Sequence, residues 1–283
     1  MKLLELTHSF HISYQEIGDA ASTSKVIFVP GIMGNQKNLL SFATSLCRTC
    51  PETSALVLDV RNHGQSSKHW EPFTVEAAAN DIGQLVTKLC LRPKAIVGHS
   101  FGGKVALLAA KKISSIEQVW MLDCPPGPIL KKNPITDRSS MTALEILDVL
   151  STINWPMSSR KEVVEVLLSR GVSNSIALWM TTNLEPHERG GLSLAFEPKE
   201  IKAMLEDFLS LDCWSSIEAT SKKAVIHLLA AEHGDRLTKE DRERLFASTS
   251  AGQAYFHVLN NSGHFVHRDN LDGLMAIMAP FFA

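Results

Sequence analysis

Ser100, His264 and a strand-end carboxylate are the residue types that nucleophilic acyl chemistry needs. A serine hydroxyl is a poor nucleophile until an imidazole takes its proton. The imidazole in turn needs a carboxylate to fix its tautomer and to stabilise it once it is charged. Ser100 lies in Gly98-His99-Ser100-Phe101-Gly102, directly after the apolar run Ala95-Ile96-Val97 and directly before the helix-forming run Lys104-Val105-Ala106-Leu107-Leu108-Ala109-Ala110. A serine on so tight a strand-to-helix turn has strained backbone geometry and needs small neighbours, which Gly98 and Gly102 supply. The turn lifts the hydroxyl above a sheet and aims the positive end of the following helix at it.

In an open sheet flanked by helices, chemistry collects beyond the carboxyl ends of the strands. The run Ala224–Leu229 leads into Ala230-Ala231-Glu232-His233-Gly234-Asp235, and the run Ala254–Leu259 leads into Asn260-Asn261-Ser262-Gly263-His264. The expected catalytic set is therefore Ser100, Asp235 and His264 in that chain order. Asp235 is favoured as the acid because a turn residue after Gly234 can reach inward. Glu232 and Asp123 are the other carboxylates at strand ends. A third strand end, Val29-Pro30-Gly31-Ile32-Met33-Gly34, lets backbone approach a substrate oxygen. It points to an oxyanion hole formed by the N–H groups of Ile32 and Phe101. Gly31, Met33, His99, Trp179, Phe196 and Phe265 are the candidate substrate-binding residues, with Trp155 and Met180 as further candidates for the pocket wall.

The elements that must hold these residues read as alternating strands and helices. Continuous apolar runs at 26–29, 55–58, 95–97 and 118–122 are buried parallel strands, and residues 38–46 and 75–89 have helical periodicity. Residues 3–6 and 11–15 form a leading hairpin. Beyond Cys124-Pro125-Pro126-Gly127-Pro128 the rhythm breaks into helical stretches near 141–153, 159–168, 174–182 and 199–209, with no convincing strand among them. Alternation resumes at residue 224. The expected architecture is α/β, a mostly parallel doubly wound sheet over 1–127 and 222–283, with residues 128–221 inserted as a helical cap.

Composition narrows the function classes. The chain has 283 residues, 45% hydrophobic and 20% charged, which suits a globular enzyme with a sizeable core. A formal net charge of −2 gives no basic excess for nucleic-acid binding. No apolar run reaches the length of a membrane span. The N-terminus, Met1-Lys2-Leu3-Leu4-Glu5-Leu6, reads as too short for a signal or transit peptide ahead of the first strand. The setting expected from this is cytoplasmic, or an organelle if a transit peptide has been removed, with the protein as a monomer or homodimer. Five scattered cysteines imply reduced thiols, and Cys47-Arg48-Thr49-Cys50 ends a helix instead of starting one, so it reads as structural and not as a redox or zinc site. Gly98–Gly103 lacks the spacing of a dinucleotide fingerprint, and neither a cofactor nor a metal is expected.

Asp59-Val60-Arg61-Asn62-His63-Gly64-Gln65-Ser66, Gly98-His99-Ser100-Phe101-Gly102-Gly103-Lys104 and Ser262-Gly263-His264-Phe265-Val266-His267 give the chain its likeness. Over nearly its full length it resembles the α/β-hydrolase superfamily. Within that superfamily it resembles the small esterases grouped with alpha/beta hydrolase domain-containing protein eleven and their bacterial counterparts. The resemblance implies the α/β-hydrolase fold and a serine esterase or thioesterase for small acyl esters of short to medium chain, with a helical cap over the site. Pro30 stands where many relatives have His, which removes a supporting side chain. Arg61-Asn62-His63-Gly64 reads as a loop pin ahead of any direct catalytic role. The same triad would serve acyl transfer to an acceptor other than water, C–C bond hydrolysis, or cofactor-free haloperoxidase-like chemistry. The fold also serves small-ligand receptors and scaffolds. Ser100 in the nucleophile position disfavours the aspartate-nucleophile epoxide hydrolases and dehalogenases.

Overall fold

Runs of β-branched and aliphatic residues become strands because their side chains can be buried on both faces of a sheet. In the computed structural model, which describes residues 1–283 except 8, 20, 130–140, 251 and 283, the chain opens with β1 (Lys2–Thr7), β2 (Phe10–Ile17) and β3 (Ser24–Val29). Then follow α1 (Leu40–Thr49), β4 (Thr53–Leu58), α2 (Val75–Lys88), β5 (Pro93–His99), α3 (Phe101–Lys112) and β6 (Gln118–Leu122). The middle segment comprises α4 (Ala143–Ser151), α5 (Arg160–Ser169), α6 (Asn174–Met180), β7 (Leu184–Pro186), β8 (Leu192–Leu194), α7 (Pro198–Ser210) and α8 (Trp214–Ser221). The chain closes with β9 (Val225–Ala231), α9 (Lys239–Ala247), β10 (Ala254–Leu259), α10 (Val266–Asp269) and α11 (Leu271–Met278).

The eight-stranded sheet runs β1-β2-β4-β3-β5-β6-β9-β10. β2 pairs antiparallel with β1 and with β4, and every pairing from β4 onward is parallel. From β3 the chain turns first toward β4 and then to the other side toward β5. This places a topological switch point outside the carboxyl ends of β3 and β5. The Gly31 loop and Ser100 leave the sheet at that point.

Period-two alternation divides the core into two layers. Val26, Phe28, Val57, Val97 and Trp120 pack with Phe42 and Leu46 of α1 and with Leu274 and Met278 of α11. Ile27, Val29, Leu56, Leu58, Ile96, Val119 and Met121 face the other layer, with Ile82 and Leu85 of α2 and Val105 of α3.

Helices start where the sequence offers a cap. Thr74 accepts from Ala77 N, Ser159 accepts from Glu162 N, and Thr142 with Glu145 closes a reciprocal capping box ahead of α4. Pro198 does not end a helix but occupies the first turn of α7, where its missing N–H costs nothing.

The middle segment departs from its reading in two respects, since α8 lies beyond the expected helical stretches and a hairpin interrupts the helices. Between α6 and α7 the chain makes a two-stranded antiparallel hairpin, β7 with β8, at the register Leu184↔Leu194. Strands of three residues holding a proline carry too little alternation to be seen in sequence. Residues 130–140 of the expected cap lie outside the described residues. Among the described residues no helix is long and apolar enough to cross a membrane. The Cys47 and Cys50 thiols point to different carbonyls, those of Ile17 and Ala279, and burial pushes both pKa values up.

Candidate active site

Ser100 follows β5 with φ 52° and ψ −120°, outside the region that an L-residue ordinarily occupies. Serine at a helix N-cap usually turns its hydroxyl back onto the first turn, but here it makes no such bond. The hydroxyl is thus spared for chemistry. The strain is held by close packing: a Cβ on Gly98 would lie 1.9 Å from Gly102 O, and one on Gly102 would lie 2.4 Å from Val29 O. Ser100 N donates to Leu122 O at 2.9 Å, which ties the turn to β6.

β6 ends in the same way. Asp123 has φ 46°, and its N–H donates to Leu229 O of β9 at 2.7 Å. Its carboxylate is buried, with Oδ1 accepting from Ala231 N at 3.3 Å and Oδ2 lying 2.7 Å from His264 Nδ1. A carboxylate beside this ring nitrogen makes Nδ1 the donor and leaves Nε2 as an acceptor. The acid that reaches the imidazole is therefore Asp123, not the expected Asp235. Asp235 is exposed on the loop after β9 and acts on His264 only through space, raising its pKa. Glu232 is spent on Asn261 N at 2.7 Å. Ala231, Gly234 and Arg236, at the end of β9 and on the same loop, pack around Asp123.

Burial holds the imidazole of His264 well below its ordinary pKa, helped by Arg236 and His267 and opposed by Asp235. Burial also pushes the Asp123 carboxyl up, against Ala231 N–H and the Arg236 guanidinium. The imidazole is therefore neutral near neutral pH.

His99 was expected to touch substrate. Its ring is buried, with Nε2 donating to the carbonyl of His264 at 2.7 Å, and it packs 4.7 Å from the His264 ring and 4.9 Å from that of His267. It braces His264, and the Cβ that Gly31 lacks would lie 3.0 Å from its Nδ1.

The loop after β3 closes a turn, with Gly34 N donating to Gly31 O at 3.0 Å. Met33 takes the left-handed third position with φ 57°. Its N–H donates to His63 Nε2 at 3.1 Å, while His63 Nδ1 donates to Arg61 O at 2.9 Å. His63 is thus a pin for this loop, as its motif suggested. Arg61 makes a buried two-pronged pair with Asp81, both contacts at 2.6 Å, and donates to Pro72 O. Asp59 accepts from the backbone and side chain of Gln36. The hydrogen bonds within the turn use the N–H groups of Met33 and Gly34 and not that of Ile32.

The middle segment supplies the apolar surroundings. The Phe196 ring lies 6.5 Å from His63, Phe208 lies 5.8 Å from Phe101, and Trp179 lies 5.2 Å from Phe265, itself 5.4 Å from His264. Three residues of this neighbourhood escaped sequence reading. Asn183 donates to Met33 O, Asn35 donates to Asn183, and Lys104 donates to the carbonyls of Gly127, Phe208 and Leu211. Each partnership spans a large sequence separation, and no motif marks it. Among the described residues no group of three or more His, Cys, Asp or Glu side chains could hold a metal ion.

A strand-to-helix serine, a histidine after the last strand and a buried aspartate all stand at carboxyl ends of strands in a doubly wound sheet. The alpha/beta hydrolase family model matches residues 26–277, and the chain belongs to that family. It is 27% identical over 278 residues to sn-1-specific diacylglycerol lipase ABHD11 of Mus musculus, covering 96% of this chain and 85% of the relative. It is 19% identical to a putative esterase/lipase of Haemophilus influenzae, covering 98% of this chain and 88% of the relative. Among solved structures a marine microorganism esterase matches with TM-score 0.76 at 21% identity, covering 94% of this chain and 98% of that one. The protein is an ester-bond hydrolase of the esterase/lipase kind.

Proposed function

We propose that the protein cleaves carboxylic esters and thioesters of short to medium acyl chains through an acyl-enzyme on Ser100. The observations that carry this reading are the strained, uncapped Ser100 at the turn after β5 and a neutral His264 whose Nδ1 is held 2.7 Å from Asp123. Ser100 Oγ attacks the acyl carbon as its proton passes to His264 Nε2. Asp123 stabilises the imidazolium, and the N–H groups of Ile32 and Phe101 hold the oxyanion. Collapse expels the alcohol or thiol, which takes the proton from His264. Water then repeats the cycle and releases the acid.

Residues 128–221 act as the cap, with Phe196, Trp179 and Phe208 toward the acyl chain. Each methylene they bury adds up to ~0.8 kcal/mol of binding, until the pocket ends. The names of the relatives in frog, fish and mouse bring diacylglycerol into the substrate panel.

The test is fluorophosphonate labelling together with turnover of p-nitrophenyl esters, acyl-CoAs and diacylglycerol of graded chain length. Ser100→Ala is expected to lose the label and several orders of magnitude of turnover. Full labelling of that variant would overturn the assignment. A chain-length profile that stays flat would overturn the cap as selector.

A further inference from the structure

Met33 is the residue whose backbone is most tightly specified around the expected oxyanion donor. A non-glycine residue with φ 57° persists only where its surroundings over-determine it. Here both ends of the residue are held by side chains. His63, from the core, accepts the N–H at 3.1 Å, and Asn183 donates its Nδ2 to the carbonyl at 2.7 Å. Asn183 comes from the short 3-10 turn Thr181–Asn183 after α6, and it is 2% exposed. Its own Oδ1 accepts from Asn35 Nδ2 at 2.8 Å, and its backbone carbonyl accepts from Ala195 N at 2.7 Å. Both ends of the side-chain amide are engaged, so it cannot flip without losing these bonds.

We propose that Asn183 is a positioning residue that couples the seating of the cap to the oxyanion hole. When the turn at 181–183 is seated, Asn183 completes the clamp on Met33 and fixes the N–H of the preceding residue, Ile32, toward the substrate oxygen. When the turn lifts, Met33 keeps only its bond to His63, and its left-handed conformation loses half its support. Substrate that seats the cap against Trp179 and Phe196 thereby assembles the donor that stabilises its own transition state. The inference rests on the acyl-enzyme reading above.

The test uses Asn183→Ala, Asn183→Asp and Asn35→Ala in the full chain, with thermal melting to establish folding. In Asn183→Ala, kcat is expected to fall 10- to 100-fold with KM within about twofold. Affinity for an acyl trifluoromethyl ketone, which forms a tetrahedral oxyanion on the serine, should fall by the same factor, while affinity for the product carboxylate stays unchanged. Asn35→Ala, which leaves the bond to Met33 in place, should lose less. Asn183→Asp has the same shape but no donor when ionised, so its kcat relative to the parent enzyme should recover as pH falls and the carboxyl regains a proton. A merely structural role would not give that recovery. Unchanged ketone affinity in a folded Asn183→Ala, or no recovery in Asn183→Asp, overturns the coupling. A Ser100→Ala variant with full turnover would overturn the acyl-enzyme reading instead, so the two failures are distinguishable.

Discussion

His99 Nε2 donates to the main-chain carbonyl of His264 at 2.7 Å, so the residue before Ser100 carries the residue proposed to activate it. The tight turn after β5 and the loop after β10 are thereby one hydrogen-bonded unit, although 165 residues separate their partners. His99→Leu removes the donor from the half-buried His264 carbonyl and puts an apolar side chain in its place, so it should lower kcat by at least tenfold. His99→Gln, whose amide can reach the same carbonyl, should recover part of the loss. Steady-state kinetics on a short-chain ester checks this, and equal activity in both variants would refute the brace.

The acid is separable by substitution. Asp123→Asn places a hydrogen-bond donor against the imidazole and favours the wrong tautomer, so kcat should fall by about 10³ or more. Asp235→Asn removes only a through-space charge and should leave kcat within severalfold of the parent. Its acid limb should move to lower pH, because the lost carboxylate had been raising the pKa of His264. A pH series of kcat/KM on both variants decides the matter.

Stability should fall on acidification. Burial holds His63 down to about 4 and His99 and His227 down to about 3, so all three are neutral in the folded state. In the unfolded chain they take up protons near 6.5, so between that pH and their folded values the unfolded state binds more protons. Stability then drops as pH falls, by about 1.4 kcal/mol per pH unit for each such imidazole. Urea titrations between pH 7.5 and 5 should show the midpoint falling below pH 6.5. His63→Asn should flatten that slope. A midpoint independent of pH would count against buried neutral imidazoles.

Arg61 and Asp81 form a buried ion pair near the loop that His63 pins. Asp81→Ala leaves the guanidinium buried with Pro72 O as its remaining partner, and should cost about 3–5 kcal/mol. The loss should appear as reduced stability with little change in KM, because the pair touches neither Ser100 nor His264. Chemical denaturation and kinetics measured side by side check the split.

Much of this site is legible in sequence because local geometry dictates it. Ser100 is given away by the glycines that a strained turn demands, and His264 by its place after the last apolar run. The strands of the parallel sheet announce themselves because burial on both faces leaves no polar alternation. The acid does not. Asp123 and Asp235 both follow strands, and which one reaches the imidazole depends on how Ala231, Gly234 and Arg236 pack against the β6 end. Asn183 and Lys104 are silent for a different reason, since their partners are backbone carbonyls that any sequence supplies.

Lys104 also bears on engineering. Its buried ammonium is shared among Gly127, Phe208 and Leu211, the first before the middle segment and the others where α7 ends. The lysine stands on the nucleophile helix, one turn beyond Ser100. The sheet domain and the middle segment are therefore tied by one buried cation and are not joined by neutral hinges. A chimera that grafts a relative's cap must import carbonyls in register with this one cation, or replace the lysine together with the graft. Otherwise the new specificity would come with a charge stranded behind the nucleophile.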